Sequence, residues 1–245
     1  MTTTIPLASL FLAYVFIVAG IVATILGRSL STRATVVSCC VIALWIAYAG
    51  ALGYFGVVAK TDAAVPGIFI LLAPIILFVA TVLVRSKAGL YVATSVPLAL
   101  LIGLQAFRVG VEWTLHRLWE LGGTPTLMTL AGGNVDMLVG LSAPLAAWLA
   151  SRGLAGRRLA LVWNVIGLAS LVNVAARAVL TAPGPLNLIH GDALNTALGT
   201  FPFTFIPGFM APLAVMLHVL SIRALRQRGR VVPAIPPQLN TVSTA

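Results

Sequence analysis

Of the 245 residues, 60% are hydrophobic and 8% are charged, against about 25% charged in an ordinary soluble domain. The mean hydropathy is +1.07, and 15 Lys and Arg against 5 Asp and Glu give a formal net charge of +10. Charges this sparse cannot cover a soluble surface, and a chain this apolar is not disordered, which leaves an all-α, polytopic membrane helix bundle.

The apolar runs in chain order are Leu7–Gly27, Val36–Val58, Gly67–Val84, Gly89–Val109, Asp136–Ala150, Leu159–Leu180 and Phe201–Leu220. Most are near the roughly 20 residues that a spanning helix needs, so seven transmembrane helices are expected. They are continuously apolar, without the period-2 alternation of a barrel strand. The first has no Lys or Arg before it and is too long for a signal-peptide core, so it is read as a span. The second carries the small residues Ala49, Gly53 and Gly56, which suit close packing within the chain or in a homo-oligomer. Cys39 and Cys40, also in the second run, read as small buried hydrophobes and not as a disulfide framework or zinc site. A fourth helix running from Gly89 to Leu121 would be about 50 Å long; it must tilt, kink near Pro97 or project. The fifth run is short and is expected to start earlier, near Gly133. Residues 1–225 form one transmembrane domain, and 226–245 read as a loose cytoplasmic tail.

Loop charge alternates along the chain. Arg28 and Arg33, then Arg85 and Lys87, then Arg152, Arg157 and Arg158, then Arg223, Arg226, Arg228 and Arg230 mark the first, third and fifth loops and the tail. The intervening loops are balanced or acidic. The positive-inside rule then puts the N-terminus outside and the C-terminus inside. It also accounts for the basic excess, which shows no aromatic-interleaved face for nucleic acid.

Polar residues inside a bilayer are costly and mark candidate sites. Arg108, Glu112 and His116 follow i, i+4, i+8 spacing on the fourth span. Asp136 lies at the head of the fifth, and Asn173 and Arg177 on the sixth, at about the same outer depth. Three readings follow. Arg108 and Arg177 can hold a small polar or anionic ligand in an outward-facing pocket, since their guanidinium forks match carboxylate or phosphate. Glu112, Asp136 and Asn173 would then orient them, with His116 at the entrance. The same residues can instead lock the helices together in a structural or assembly subunit. A membrane-embedded hydrolase would place a metal on Glu112, His116, His190 and Asp192. His218 and Asn164 fall deeper, at one level, where they can share a hydrogen bond. Asn164 and Asn173 face opposite sides of the sixth span, which suggests a central place for that helix. No phosphate loop or nucleophile elbow is present, and the expectation is a non-enzymatic protein with no cofactor and no bound metal.

Phe107-Arg108-x-x-Val111-Glu112, Gly140 to Pro144, Trp163-Asn164, and Phe201-Pro202 followed by Pro207, Pro212, His218 and Ser221-Ile222-Arg223 resemble a group of uncharacterised bacterial integral membrane proteins. The resemblance covers about Gln105 to Arg223. It implies a multi-pass protein of the bacterial inner membrane, with the lipid bilayer as its surroundings, and implies no chemistry.

Overall fold

Pro97 breaks one of these apolar helices, whereas Pro74 and Pro144 lie inside helices that continue through them. In the computed structural model, which describes residues 4–63 and 65–230, all regular structure among the described residues is helical. Helices α1 (Thr4–Ser29) and α2 (Thr32–Tyr54) are joined by a short link in which extended Ser31 caps α2. Helix α3 (Gly67–Phe78) continues through a π-helical turn, Val79–Leu83, and then bends by 79° into α4 (Lys87–Ser95). The Ser86 hydroxyl caps α4, accepting from the Gly89 amide at 3.1 Å. Pro97 excludes helical geometry at the residue before it; Val96 is extended accordingly, and the chain restarts as α5 (Leu98–Gly103). A 3₁₀ stretch, Leu104–Phe107, leads into α6 (Arg108–Glu120). Helices α7 (Asp136–Leu149) and α8 (Gly153–Leu180) follow, and a π-helical turn, Ile206–Met210, opens into α9 (Ala211–Arg230).

Five of these helical stretches are long and apolar enough to cross a membrane, or six if the bent pair Gly67–Leu83 and Lys87–Ser95 is one span. This is fewer than the seven expected. The third run ends at the 79° bend, and α7 has 14 residues, about 21 Å of helix against a roughly 30 Å hydrocarbon core. Helix α7 begins at Asp136 and not near Gly133, whose φ of +89° places it in the preceding turn. Helix α9 runs past Arg226 to Arg230, into the segment expected to be loose; residues 231–245 of that tail lie outside the described residues.

The central helix is α9, not α8. Of its most apolar stretch 67% is buried, against 28% for α8. At one end of the molecule the loops after α2, α6 and α8 meet: Ala197 donates to the Gly123 carbonyl at 3.0 Å, and Gly199 backs onto Ala59. At the other end Arg223 of α9 donates to the carbonyls of Leu83 and Ser86, and the Ser31 amide reaches the Tyr91 hydroxyl at 3.1 Å.

Helix α2 serves the rest of the bundle in two ways. Its small residues pack inside the chain. Ala49 is fully buried beneath Gly208, and Gly53 lies so close to Thr204 that a Cβ would fall 2.3 Å from its hydroxyl. Gly56 is not part of this contact; it turns the chain at a φ of +66°. Cys40 faces outward and Cys39 is half-buried, neither in the core.

The second service is to satisfy carbonyls freed by proline. Proline lacks the N–H that would bond the carbonyl four residues back, and a membrane supplies no water in its place. Pro74 frees the Ile70 carbonyl, which accepts from the Tyr48 hydroxyl at 2.8 Å. Pro212 likewise frees the Gly208 carbonyl, which accepts from the Trp45 indole N–H. Tyr48→Phe and Trp45→Phe should therefore each cost about 1 kcal/mol, read as a lower midpoint of thermal unfolding in detergent. Tyr54→Phe, at an exposed position, should leave the midpoint unchanged, and equal midpoints for all three variants would refute the repair role.

Candidate functional site

Four helices converge on one guanidinium. Arg108 opens α6 and is 2% exposed. Its fork grips Asp136 with two hydrogen bonds, Nε to Oδ2 at 2.7 Å and Nη2 to Oδ1. Asp136 is the first residue of α7, where the partial positive charge of a helix N-terminus favours a carboxylate. The Ser170 hydroxyl of α8 donates to the same Oδ1 at 2.7 Å.

The third arm of the guanidinium reaches α9. Arg108 Nη1 lies 3.1 Å from His218 Nε2. A guanidinium only donates, so Nε2 accepts and the imidazole proton sits on Nδ1. Nδ1 then donates to Asn164 Oδ1 at 2.9 Å, while Asn164 Nδ2 is spent on the Ala160 carbonyl at 2.7 Å. The ring fits because position 167 is glycine: a Cβ there would lie 2.3 Å from His218 Cε1.

Glu112 is buried one turn along α6 and accepts from Asn134 Nδ2 at 2.7 Å. Asn134 also donates to the Met128 carbonyl at 2.9 Å and accepts from the Asp136 amide at 3.1 Å. It therefore ties the loop before α7 to the Glu112 carboxylate and to the first backbone amide of α7.

The other expected residues lie elsewhere. Arg177 is half-buried and forms a separate clamp: Nε donates to Asn173 Oδ1 at 3.0 Å, and Nη1 donates to the carbonyls of Leu127 and Gly132. It holds loop backbone and does not join Arg108. His116 is 52% exposed, 3.6 Å from Glu120. Eight residues make slightly more than two turns, so the face drifts by about 80° between Arg108 and His116.

The four ligands of the metal reading do not assemble. His190 is exposed, and Asp192 accepts from the Thr126 amide at 3.0 Å and from its hydroxyl at 2.5 Å. Those two bonds hold the Asp192 carboxyl below its ordinary pKa. Among the described residues no three His, Cys, Asp or Glu side chains come together as a metal site.

Asn134 is the network residue that spacing did not single out. An Asn two residues before an acidic helix start is an Asx-turn signal that marks it. The His218–Asn164 bond matches the shared depth read from the sequence, but the Arg108–His218 contact does not follow from spacing along any one helix.

Open volume lies on the opposite side of α8. A cavity of about 820 Å³ lies between α3 and α8, floored by the start of α9 and its π-helical turn. Its body is aliphatic. Ile76 and Val172, both lining it, are 63% and 68% exposed, so it opens at the surface between the two helices. Its polar lining gathers at one end, in Lys60, Thr61, Asn195, Thr196 and Thr200.

Fold and site define an all-helical protein with five or six stretches long and apolar enough to cross a membrane, whose polar core is an internal ion-pair network. The chain belongs to the family described as "Domain of unknown function (DUF8737)", which matches residues 63–226. That region holds the whole Arg108 network and most of the cavity wall. Comparison with curated proteins and with solved structures finds no match.

Removing one partner of a buried pair leaves an uncompensated charge, at a cost of about 3–5 kcal/mol. Asp136→Ala should therefore unfold the protein or lower its stability by that amount in detergent. Arg108→Met combined with Asp136→Leu should be more stable than either single variant, because both charges go together. Additive losses in this cycle would show that the two side chains are not coupled.

Proposed function

We propose that this chain is a seven-span protein of the bacterial inner membrane, N-terminus outside and C-terminus inside, that binds, senses or moves a small molecule drawn from the bilayer. The clustering of the loops after α2, α6 and α8 at one end supports the alternating topology, as does the positive charge of the intervening loops.

The observation that carries the functional reading is where donors are spent and where space is left. Arg108 is committed to Asp136 and His218, and Arg177 to Asn173 and two loop carbonyls. Arg108 is therefore not set up to take a free anion, and Arg177 has only Nη2 left over from its loop clamp. The aliphatic cavity of about 820 Å³ is within the size range of small-molecule sites. The ligand is therefore apolar or amphipathic, and Arg108, Glu112, Asp136, Asn173 and Arg177 hold the wall behind it.

Ala175 lines the cavity and is exposed to it, so Ala175→Trp fills the space without disturbing the core. Native mass spectrometry of wild-type protein should show a retained apolar molecule that Ala175→Trp loses and His116→Gln, an exposed position outside the cavity lining, keeps. Retention by Ala175→Trp would overturn the reading. For topology, in a Cys39→Ser, Cys40→Ser background, Asp62→Cys should react with an impermeant maleimide in whole cells. Lys87→Cys should react only after lysis, and the reverse pattern would invert the orientation.

A further inference from the structure

We propose that the α3/α8 groove is a binding site for an anionic, hydroxyl-bearing membrane lipid, with one acyl chain in the groove, the phosphate at Lys60 and a head-group hydroxyl on Asn195. This rests on the reading of the groove as the ligand site, and it specifies the ligand.

The first support is an orphaned acceptor. Asn195 is 3% exposed and lines the cavity. Its Nδ2 donates to the Ala178 carbonyl at 3.1 Å and its amide to the Thr181 carbonyl at 3.0 Å. Its Oδ1 is buried without a hydrogen-bond partner. The side chain cannot simply flip, since that would set Oδ1 against the Ala178 carbonyl. Buried acceptors are nearly always satisfied; Asn195 lines the groove, so a small turn of its side chain toward that space lets a head-group hydroxyl supply the missing donor.

Charge is the second support. Lys60 lies at the same end of the groove; Asp62 balances its charge along the loop but does not pair with it, and Lys60 makes no ion pair with a described residue. An exposed ammonium beside an apolar slot at a membrane surface attracts an anionic head group. Length agrees as well. The α8 wall runs from Leu168 to Ala182, roughly 20 Å at 1.5 Å per residue, while one leaflet occupies about 15 Å of the hydrocarbon core. The groove body therefore accommodates a whole acyl chain with its head at Lys60.

The test is native mass spectrometry of the full chain in mixed micelles, with lipids of identical acyl chains. Phosphatidylglycerol should be retained about fivefold over zwitterionic phosphatidylcholine, the effect of one lysine near a membrane surface, and Lys60→Gln should abolish that preference. Phosphatidylglycerol should also exceed phosphatidylethanol, which has the same charge and no head-group hydroxyl. Loss of all retained lipid in Ala175→Trp, with an unchanged unfolding midpoint, should accompany this. If lipid is displaced by Ala175→Trp but shows no preference for phosphatidylglycerol, or if Lys60→Gln keeps the preference, the head-group assignment falls and the groove stands. If Ala175→Trp displaces nothing, both fall.

Discussion

The bundle depends on the ion pair between Arg108 and Asp136. A guanidinium that is 2% exposed among apolar helices is tolerated only when its charge and its donors are answered locally. Asp136 answers the charge from the head of α7, and His218 takes the remaining arm from α9. The consequence is geometric. Ridges of leucine, valine and alanine allow helices to slide past one another, because dispersion has little directional preference. A bidentate fork and an imidazole in one tautomer do not. The network thus supplies the register of α6, α7, α8 and α9 in a chain with few other polar contacts to specify it.

The same demand for internal satisfaction explains the role of α2. Pro74 in α3 and Pro212 in α9 each strand a carbonyl that lipid cannot hydrate. Tyr48 and Trp45, one turn apart on α2, supply the missing donors to Ile70 and Gly208. Helix α2 is poorly buried, with 11% of its apolar stretch inside. Hydrogen bonds to freed carbonyls and the close approach at Gly53 attach it more specifically than that area alone would.

What the sequence reveals follows from what is local. Helical class and the grouping of Arg108 with Glu112 are legible from hydropathy and i, i+4 spacing, since both properties are carried by one helix. Asp136 is legible at the head of a short apolar run. The failures are equally physical. Depth counting assumes a constant rise per residue, and the break at Pro97, the 3₁₀ stretch Leu104–Phe107 and the π-helical turn Ile206–Met210 all reset it. That error separated Arg108 from His218. Arg177 bonds to loop carbonyls, and every residue has a carbonyl, so no side-chain pattern announces the contact. The groove is a relation between α3 and α8, nearly a hundred residues apart in the chain, and periodicity cannot see it.

Helix α8 shows how the polar core and the apolar groove require one another. Its Ser170 donates to Asp136 of α7, and its Arg177, steadied by Asn173 on the same helix, donates to the loop before α7. Val172 is two residues from Ser170, about 200° around the helix, and it faces the groove. A helix held by packing alone gains contacts by closing onto α3, because an unfilled gap forfeits dispersion on both walls. A helix held by directional bonds on its other face cannot close without breaking them. The hydrogen bonds behind α8 therefore keep the groove open, and polar residues of the core that face away from the groove still shape it.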